Sequence, residues 1–234
     1  MDNATHCRHE LKYRISPYDY YAMRQVIRHI GCPDSHADDQ GRYHVRSLYF
    51  DNFENKALRE KLDGVSRREK FRLRFYNRDT GFIKAEKKAR LDGVTRKDFS
   101  PITAEECERL LQGDIAWMAE APAPLLRELH AGMRYQLLRP AVIVEYTREA
   151  YQLNAAGTRI TFDTEIRGGN CTGDFLKPEA TTLRLTGEII LEIKYNAFLP
   201  GILGDLLRRG NRQPSAFSKY AAARLYGVHS AMEA

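Results

Sequence analysis

The hydrophobic pattern of the chain switches between two periods. In "EKFRLRFY" (69–76), Phe71, Leu73 and Phe75 alternate with Lys70, Arg72 and Arg74, which is the period of a β-strand. Related patterns at 7–15, 43–51, 82–90, 94–99, 139–151, 158–167 and 182–196 predict further strands, about eight long ones in all. Helical stretches fall between them. Ser16 and Pro17 make an N-cap and first position for a helix to about Ile30, stopped at Gly31. Short helices are predicted at 55–62, 104–112, 123–132, 201–210 and 215–226, with Thr103 and Glu106 spaced as a capping box. Hairpin turns are expected at Asp79-Thr80-Gly81 and Asp92-Gly93. Hairpin-linked strands with helical insertions predict an α+β fold with a large antiparallel sheet or barrel, not a βαβ series.

The polar faces of the strands carry the unusual feature. Arg8, Glu10 and Lys12 share one face; so do Lys70, Arg72 and Arg74; so do Lys84, Glu86, Lys88 and Arg90. Arg159, Thr161, Asp163 and Glu165 share another, and Glu188, Ile190, Glu192 and Lys194 mostly follow. Taken singly, each reads as a half-buried sheet wetting its polar side. Taken together, they are dense in Arg, Lys and Glu and poor in the usual Ser, Thr, Asn and Gln. Glu-x-Lys recurs as Glu10/Lys12, Glu86/Lys88 and Glu192/Lys194, although neither residue favours strands. If the sheet closes into a barrel, these faces line its bore and the apolar faces lie under helices. Facing cations with a few carboxylates suit an anion together with a divalent metal.

Composition narrows the classes. The 234 residues are 43% hydrophobic and 29% charged, with a net charge of +6. This suits one globular domain, here taken as 1–234 with its core at about 7–226, and favours anionic partners. No apolar run reaches the roughly 20 residues of a membrane span. The polar segment Met1–His9 lacks the apolar core of a signal peptide, so a soluble cytoplasmic protein is expected. Cys7, Cys32, Cys107 and Cys171 form no CxxC pair, so they are expected to be free thiols. GxGxxG, GxxxxGK[ST] and HExxH are all missing. The seven His and four Cys give no nucleophilic constellation. Aromatics fall mostly opposite the cations, so nucleic acid is not expected as a partner.

Glu10-x-Lys12, Arg72-x-Arg74, Glu86-x-Lys88, Tyr146-x-Arg148 and Glu192-x-Lys194, taken in order, resemble the triphosphate tunnel metalloenzymes. "SLYFDN" (47–52) and "FSKY" (217–220) are similar to the polyphosphate polymerase (VTC) domain of the vacuolar transporter chaperone complex, rather than the adenylate cyclase/thiamine triphosphatase (CYTH) branch. The resemblance spans about 7–226. It implies an eight-stranded antiparallel tunnel with a charged interior, binding triphosphate and Mn²⁺ or Mg²⁺. In such domains the γ-phosphate of ATP passes to a growing inorganic polyphosphate chain.

By motif, the resemblance implies phosphate ligands at Lys12, Arg72, Arg74, Lys88, Lys97, Arg148, Arg159 and Lys219, with hydroxyl donors at Tyr146 and Ser218. It implies a main metal ligand at Glu192, with Glu10 and Glu86 as helpers. Arg72, Arg74, Lys88 and Arg148 are the expected catalytic set. One departure stands out: Ala216 occupies a position where the family motif can carry a lysine, and Arg212 is the available substitute. Arg46 and Lys84 are candidates by face parity only, and Lys70 is assigned to neither surface nor interior. Lys56, Arg59, Lys61, Arg67 and Arg68 are expected on the outer surface. Three functions follow: an ATP-dependent polyphosphate polymerase, a triphosphatase in the same tunnel, or a non-catalytic polyphosphate-binding module. Any coupling to membrane transport would require a separate membrane partner protein.

Overall fold

A computed structural model describes residues 9–92, 94–209 and 212–232, with side chains through 226 in the last stretch. Cys7, Arg8, Gly93 and residue 210 of the predicted fifth helix lie outside the described residues. In chain order the elements are β1 (His9–Ile15), α1 (Pro17–Ile30), β2 (Cys32–Pro33), β3 (Arg42–Asp51), α2 (Lys56–Leu62), β4 (Arg68–Tyr76), β5 (Asp79–Leu91) and β6 (Val94–Ile102). There follow α3 (Ala104–Leu111), α4 (Pro124–Tyr135), β7 (Arg139–Leu153), β8 (Thr158–Gly169), β9 (Leu183–Arg184), β10 (Ile189–Tyr195), α5 (Gly201–Arg208) and α6 (Lys219–Met232). The fold is α+β with a large antiparallel sheet. No described helix is long and apolar enough to cross a membrane.

The local signals explain most element ends. The Ser16 hydroxyl accepts the Asp19 N–H at 3.1 Å, and the Asp19 carboxylate accepts the Ser16 N–H at 3.4 Å. Thr103 and Glu106 make the same reciprocal cap on α3, at 3.1 and 2.8 Å. Gly31 ends α1 with φ −123°, an extended conformation. It is also closely packed: a Cβ there would meet Leu153 Cδ1 at 3.1 Å and the Ile27 carbonyl at 3.3 Å.

Three predicted boundaries move. The β4–β5 turn is at Asn77-Arg78, both left-handed (φ 51° and 60°), with Tyr76 and Asp79 paired across it. This is a two-residue turn matched to strand twist. The expected Asp79-Thr80-Gly81 lies inside β5, where the Gly81 N–H donates to the Asp79 carboxylate at 2.8 Å. The long strand expected at 182–196 is two pieces, β9 and β10, separated around Gly187. The last helix starts at Lys219 rather than 215, after Ser218, whose Oγ accepts the Ala221 N–H at 3.3 Å.

The hydrogen-bonded strand order is β1-β10-β8-β7-β3-β4-β5-β6, with β2 on β7 and β9 on β8. Among the described residues this order has two ends, so the closed barrel expected from the sequence is not seen. Alternation decides which face of a strand is buried, not which edge is paired. β6 carries edge features within the strand: Pro101 has no N–H to donate, and Arg96, Lys97 and Asp98 are charged.

Internal contacts divide the chain into two compact units. The first comprises Met1–His44, Tyr146–Ile166 and Thr186–Phe217. Its core joins Tyr13, Ile160, Phe162, Leu191 and Ile193 of the strands to Tyr20, Met23 and Ile27 of α1 and Leu203, Leu206 and Leu207 of α5. The second comprises Val45–Glu145, Arg167–Leu185 and Ser218–Ala234. There Phe71, Leu73, Phe75, Ile83 and Ala85 pack against Cys107 and Leu110 of α3 and Leu125, Leu126 and Leu129 of α4. In both units helices cover the apolar strand faces, as the sequence predicted. Each large apolar side chain so buried contributes roughly 1.5–3 kcal/mol.

Candidate functional site

In the first unit, cross-strand register builds a charged lattice. Lys12, Glu192 and Thr161 are neighbours across β1, β10 and β8; Glu10, Lys194 and Arg159 form the adjoining row. The buried Glu192 carboxylate accepts from Lys194 Nζ at 2.6 Å and lies 3.5 Å from Lys12 Nζ. Lys12 also pairs with Glu10. Burial pushes the Glu192 carboxyl up, but Lys194, Lys12 and Arg148 overcome this and hold it well below the usual range. Burial likewise opposes the charge on Lys12, and Glu192 and Glu10 more than restore it, so its pKa rises. The Thr161 hydroxyl beside Glu192 is buried and has no hydrogen-bond partner among the described residues.

Arg148 makes a two-pronged pair with Asp163, Nε–Oδ1 2.6 Å and Nη2–Oδ2 2.8 Å, and its guanidinium lies 5.2 Å from the Tyr146 ring centre. Asp163 is fully buried. Arg159 is held by the Asp34 carboxylate at 2.6 Å and the Tyr43 hydroxyl at 3.0 Å. Arg212, the expected substitute for a lysine at 216, is committed to Asp19 and, at 2.7 Å, to the Leu206 carbonyl. These contacts argue against the substitute role.

In the second unit, β4, β5 and β6 place Lys70, Lys88 and Lys97 in one row. Arg72, Glu86 and Phe99 form the next, and Arg74, Lys84 and Pro101 the third. Like charges in register oppose folding, so such a row favours an anionic occupant. Glu86, 3% exposed, takes Arg72 Nε on one oxygen and Lys97 Nζ on the other, both at 2.5 Å. Burial raises its pKa, but Arg72, Arg74 and Lys97 outweigh that and bring it down to about 2. Arg74 donates to Ser47 Oγ at 2.8 Å. Arg72 Nη1 donates to the Tyr49 hydroxyl at 3.0 Å, and Lys70 and Arg72 both lie 5.7 Å from that ring.

The two short motifs acquire separate tasks here. In SLYFDN, Ser47 and Tyr49 hold arginines, while Leu48 and Phe50 are core. Asp51 accepts the N–H groups of Ala57 and Leu58 at 2.8 and 3.3 Å, capping α2, and also the Tyr220 hydroxyl. Asn52 accepts the Lys56 N–H at 3.0 Å. In FSKY, Ser218 caps α6, Lys219 is its first residue, and the Tyr220 ring lies tilted against Tyr49 with centres 5.1 Å apart. Arg46, set aside in the sequence reading, is fully buried and bonds Glu145, the Pro178 carbonyl and the Asp174 carbonyl at 3.1–3.2 Å.

Sequence reasoning thus found the charged members and missed their holders: Asp163, Asp34, Ser47 and Tyr49. Asp163 was visible by face parity, and Ser47 and Tyr49 alternate within a motif already noted. No sequence signal linked Asp34, in a loop, to Arg159. Among the described residues no group of three metal-ligating side chains occurs. A cavity of about 510 Å³ near Arg24, Arg28 and Arg42 lies in the first unit, lined also by Asp34, Asp38 and Asp39. Glu149 pairs with Arg24 and Arg42 there, so its cations are largely compensated.

Comparison with known structures finds a Bacillus halodurans protein carrying the provisional designation adenylate cyclase. It shares 11% identity, with 91% of this chain and 95% of that one covered, at a TM-score of 0.52. The PH1819 protein of Pyrococcus horikoshii superposes with a TM-score of 0.47 at 13% identity, over 92% of this chain and 96% of its own. At such identity the first likeness speaks to the fold alone. No curated protein sequence matches the chain. The VTC domain family matches residues 7–226, nearly the whole length, and by that match the chain belongs to the VTC domain family.

Proposed function

We propose that this VTC domain is a metal-dependent phosphotransferase that passes the γ-phosphoryl group of ATP to the end of an inorganic polyphosphate chain. The observation that carries the reading is the charged face of β4–β6. There Lys70, Lys88 and Lys97 stand in register, Arg72 and Arg74 follow, and Glu86 is the buried carboxylate among them. Phosphoryl transfer asks a protein for positioning and charge neutralisation, with little covalent work. Arginine forks match phosphate oxygens and lysines supply point charge. Glu86 takes Arg72 on one oxygen and Lys97 on the other, and so aims both cations at the face.

Mn²⁺ or Mg²⁺ fits the first unit better. Glu192 stays ionised, and Glu10 shares Lys12 with it. Magnesium is typically held by one or two carboxylates plus substrate phosphates, so Glu192 would be the main ligand and Glu10 its helper. When bound, the ion would neutralise charge on the phosphate oxygens. Lys12 and Lys194 keep Glu192 deprotonated and aimed; Arg148, fixed by Asp163, presents a guanidinium to anions.

A triphosphatase is the second reading, favoured by Ala216 in place of a lysine and by the commitment of Arg212 elsewhere. Incubation with ATP and Mn²⁺, followed by gel analysis, separates the two. Long chains are expected; orthophosphate alone would sink the polymerase reading. Glu192→Gln should abolish turnover and leave tripolyphosphate binding measurable. Normal turnover by that variant would overturn the metal assignment.

A further inference from the structure

The charged face of the second unit ends in aromatic rings. The Lys84 ammonium lies 5.2 Å from the Phe82 ring centre and 5.6 Å from those of Phe99 and Tyr76. Phe82 and Phe99 are nevertheless 49% and 61% exposed. They are not scattered surface residues. Phe82 follows Lys88, Glu86 and Lys84 at two-residue steps along the same face of β5, and Phe99 pairs in register with Glu86. The face therefore runs from three lysines, through Arg72 and Glu86, to a cluster of rings. At a strand rise of about 3.3 Å per residue, Glu86 and Phe82 are roughly 13 Å apart, a span that a phosphate chain and a sugar cover.

We infer that Phe82 and Phe99, with Lys84 between them, form a platform for the purine base of a nucleoside triphosphate whose phosphates lie on the cations of the same face. The chemistry selects this occupant. Phosphates favour the cationic end and cannot use an apolar ring, whereas a base offers a flat π-face and is tethered to a polyanion. Lys84 occupies the middle of the cluster as a cation held against rings and supplies a hydrogen-bond donor beside the stack. Inorganic polyphosphate has no group for this platform, so the rings would distinguish the ATP donor from the chain that accepts the phosphoryl group. The inference rests on the proposed triphosphate site and names the part of the substrate that this site would otherwise leave unread.

The test is calorimetric titration of the full chain with ATP and, separately, tripolyphosphate, both with Mg²⁺, in the parent, Phe82→Ala/Phe99→Ala and Phe99→Tyr proteins. Stacking on an aromatic side chain predicts that the double variant binds ATP about tenfold or more weakly. Tripolyphosphate affinity should stay within about twofold, and Phe99→Tyr should retain ATP binding. Equal loss of both ligands, or no loss of either, overturns the platform. Failure of the parent protein to bind tripolyphosphate would overturn the triphosphate site itself, and the platform with it. Both rings are exposed, so the variants should unfold at the parent temperature; a lowered midpoint would mean that the rings support the fold and would count against the proposal.

Discussion

Tyr49 shows how much a single side chain can report. It is 6% exposed, and burial alone would push its phenol up. Arg72, Lys70 and Arg74 overcome that and lower it from 10.0 to about 7. A phenolate absorbance titration should therefore show one tyrosine ionising near pH 7, and Tyr49→Phe should remove it. The folded pKa is depressed, so ionisation adds stability as pH rises through about 7 toward 10, and this is lost as pH falls back. Tripolyphosphate, by neutralising the cations, should return the titration toward 10; an unchanged curve would mean that the anion does not bind on this face. The charged residues were legible because alternation exposes face parity. The partners that hold them were less so, because parity gives a strand's face but not its neighbour across the sheet. Arg159 was read as a phosphate ligand, and its bond to Asp34 depends on a loop that no periodicity describes.

At the scale of elements, caps and turns decided where the reading succeeded. The Ser16 N-cap and the Thr103–Glu106 capping box appear where the sequence put them, and Asp19 completes a second box at Ser16 that was not read. The β4–β5 turn was misplaced because Gly81 attracted the assignment, while Asn77 and Arg78 adopt the left-handed conformation. Asp51 illustrates a contact that one motif makes with another. It caps α2 and accepts the Tyr220 hydroxyl, so a strand end, a helix start and the last helix share one carboxylate. Asp51→Ala should cost about 2–4 kcal/mol, from the lost cap and the stranded Tyr220 hydroxyl, in denaturant unfolding. Tyr220→Phe should cost only about 1 kcal/mol. Equal costs would place the whole effect on Tyr220.

For the whole molecule, the balance of charge sets behaviour. A net +6, with cations grouped on strand faces, predicts binding that weakens steeply with salt. Raising ionic strength from roughly 0.05 to 0.5 M should weaken tripolyphosphate binding at least about tenfold. A flat response would point to contacts other than charge. The sheet, the helical covers and the alternation of faces were legible in the sequence; ring closure was not, because edge pairing leaves no periodic mark.

The interleaving of the two units has a consequence for biosynthesis. The first unit needs Met1–His44 together with Thr186–Phe217, and the second needs Val45–Glu145 together with Ser218–Ala234. Neither can be completed until the segments beyond Thr186 have been made. Until then β1 and α1 must wait for β10 and α5, their partners in the first core, while β4 and β5 can already pack under α3 and α4. Contacts of such long sequence separation slow folding and leave strand edges exposed to other chains. The segment carrying β1 and α1 should therefore engage chaperones until β10 and α5 emerge, and slower elongation should offer the first unit little head start.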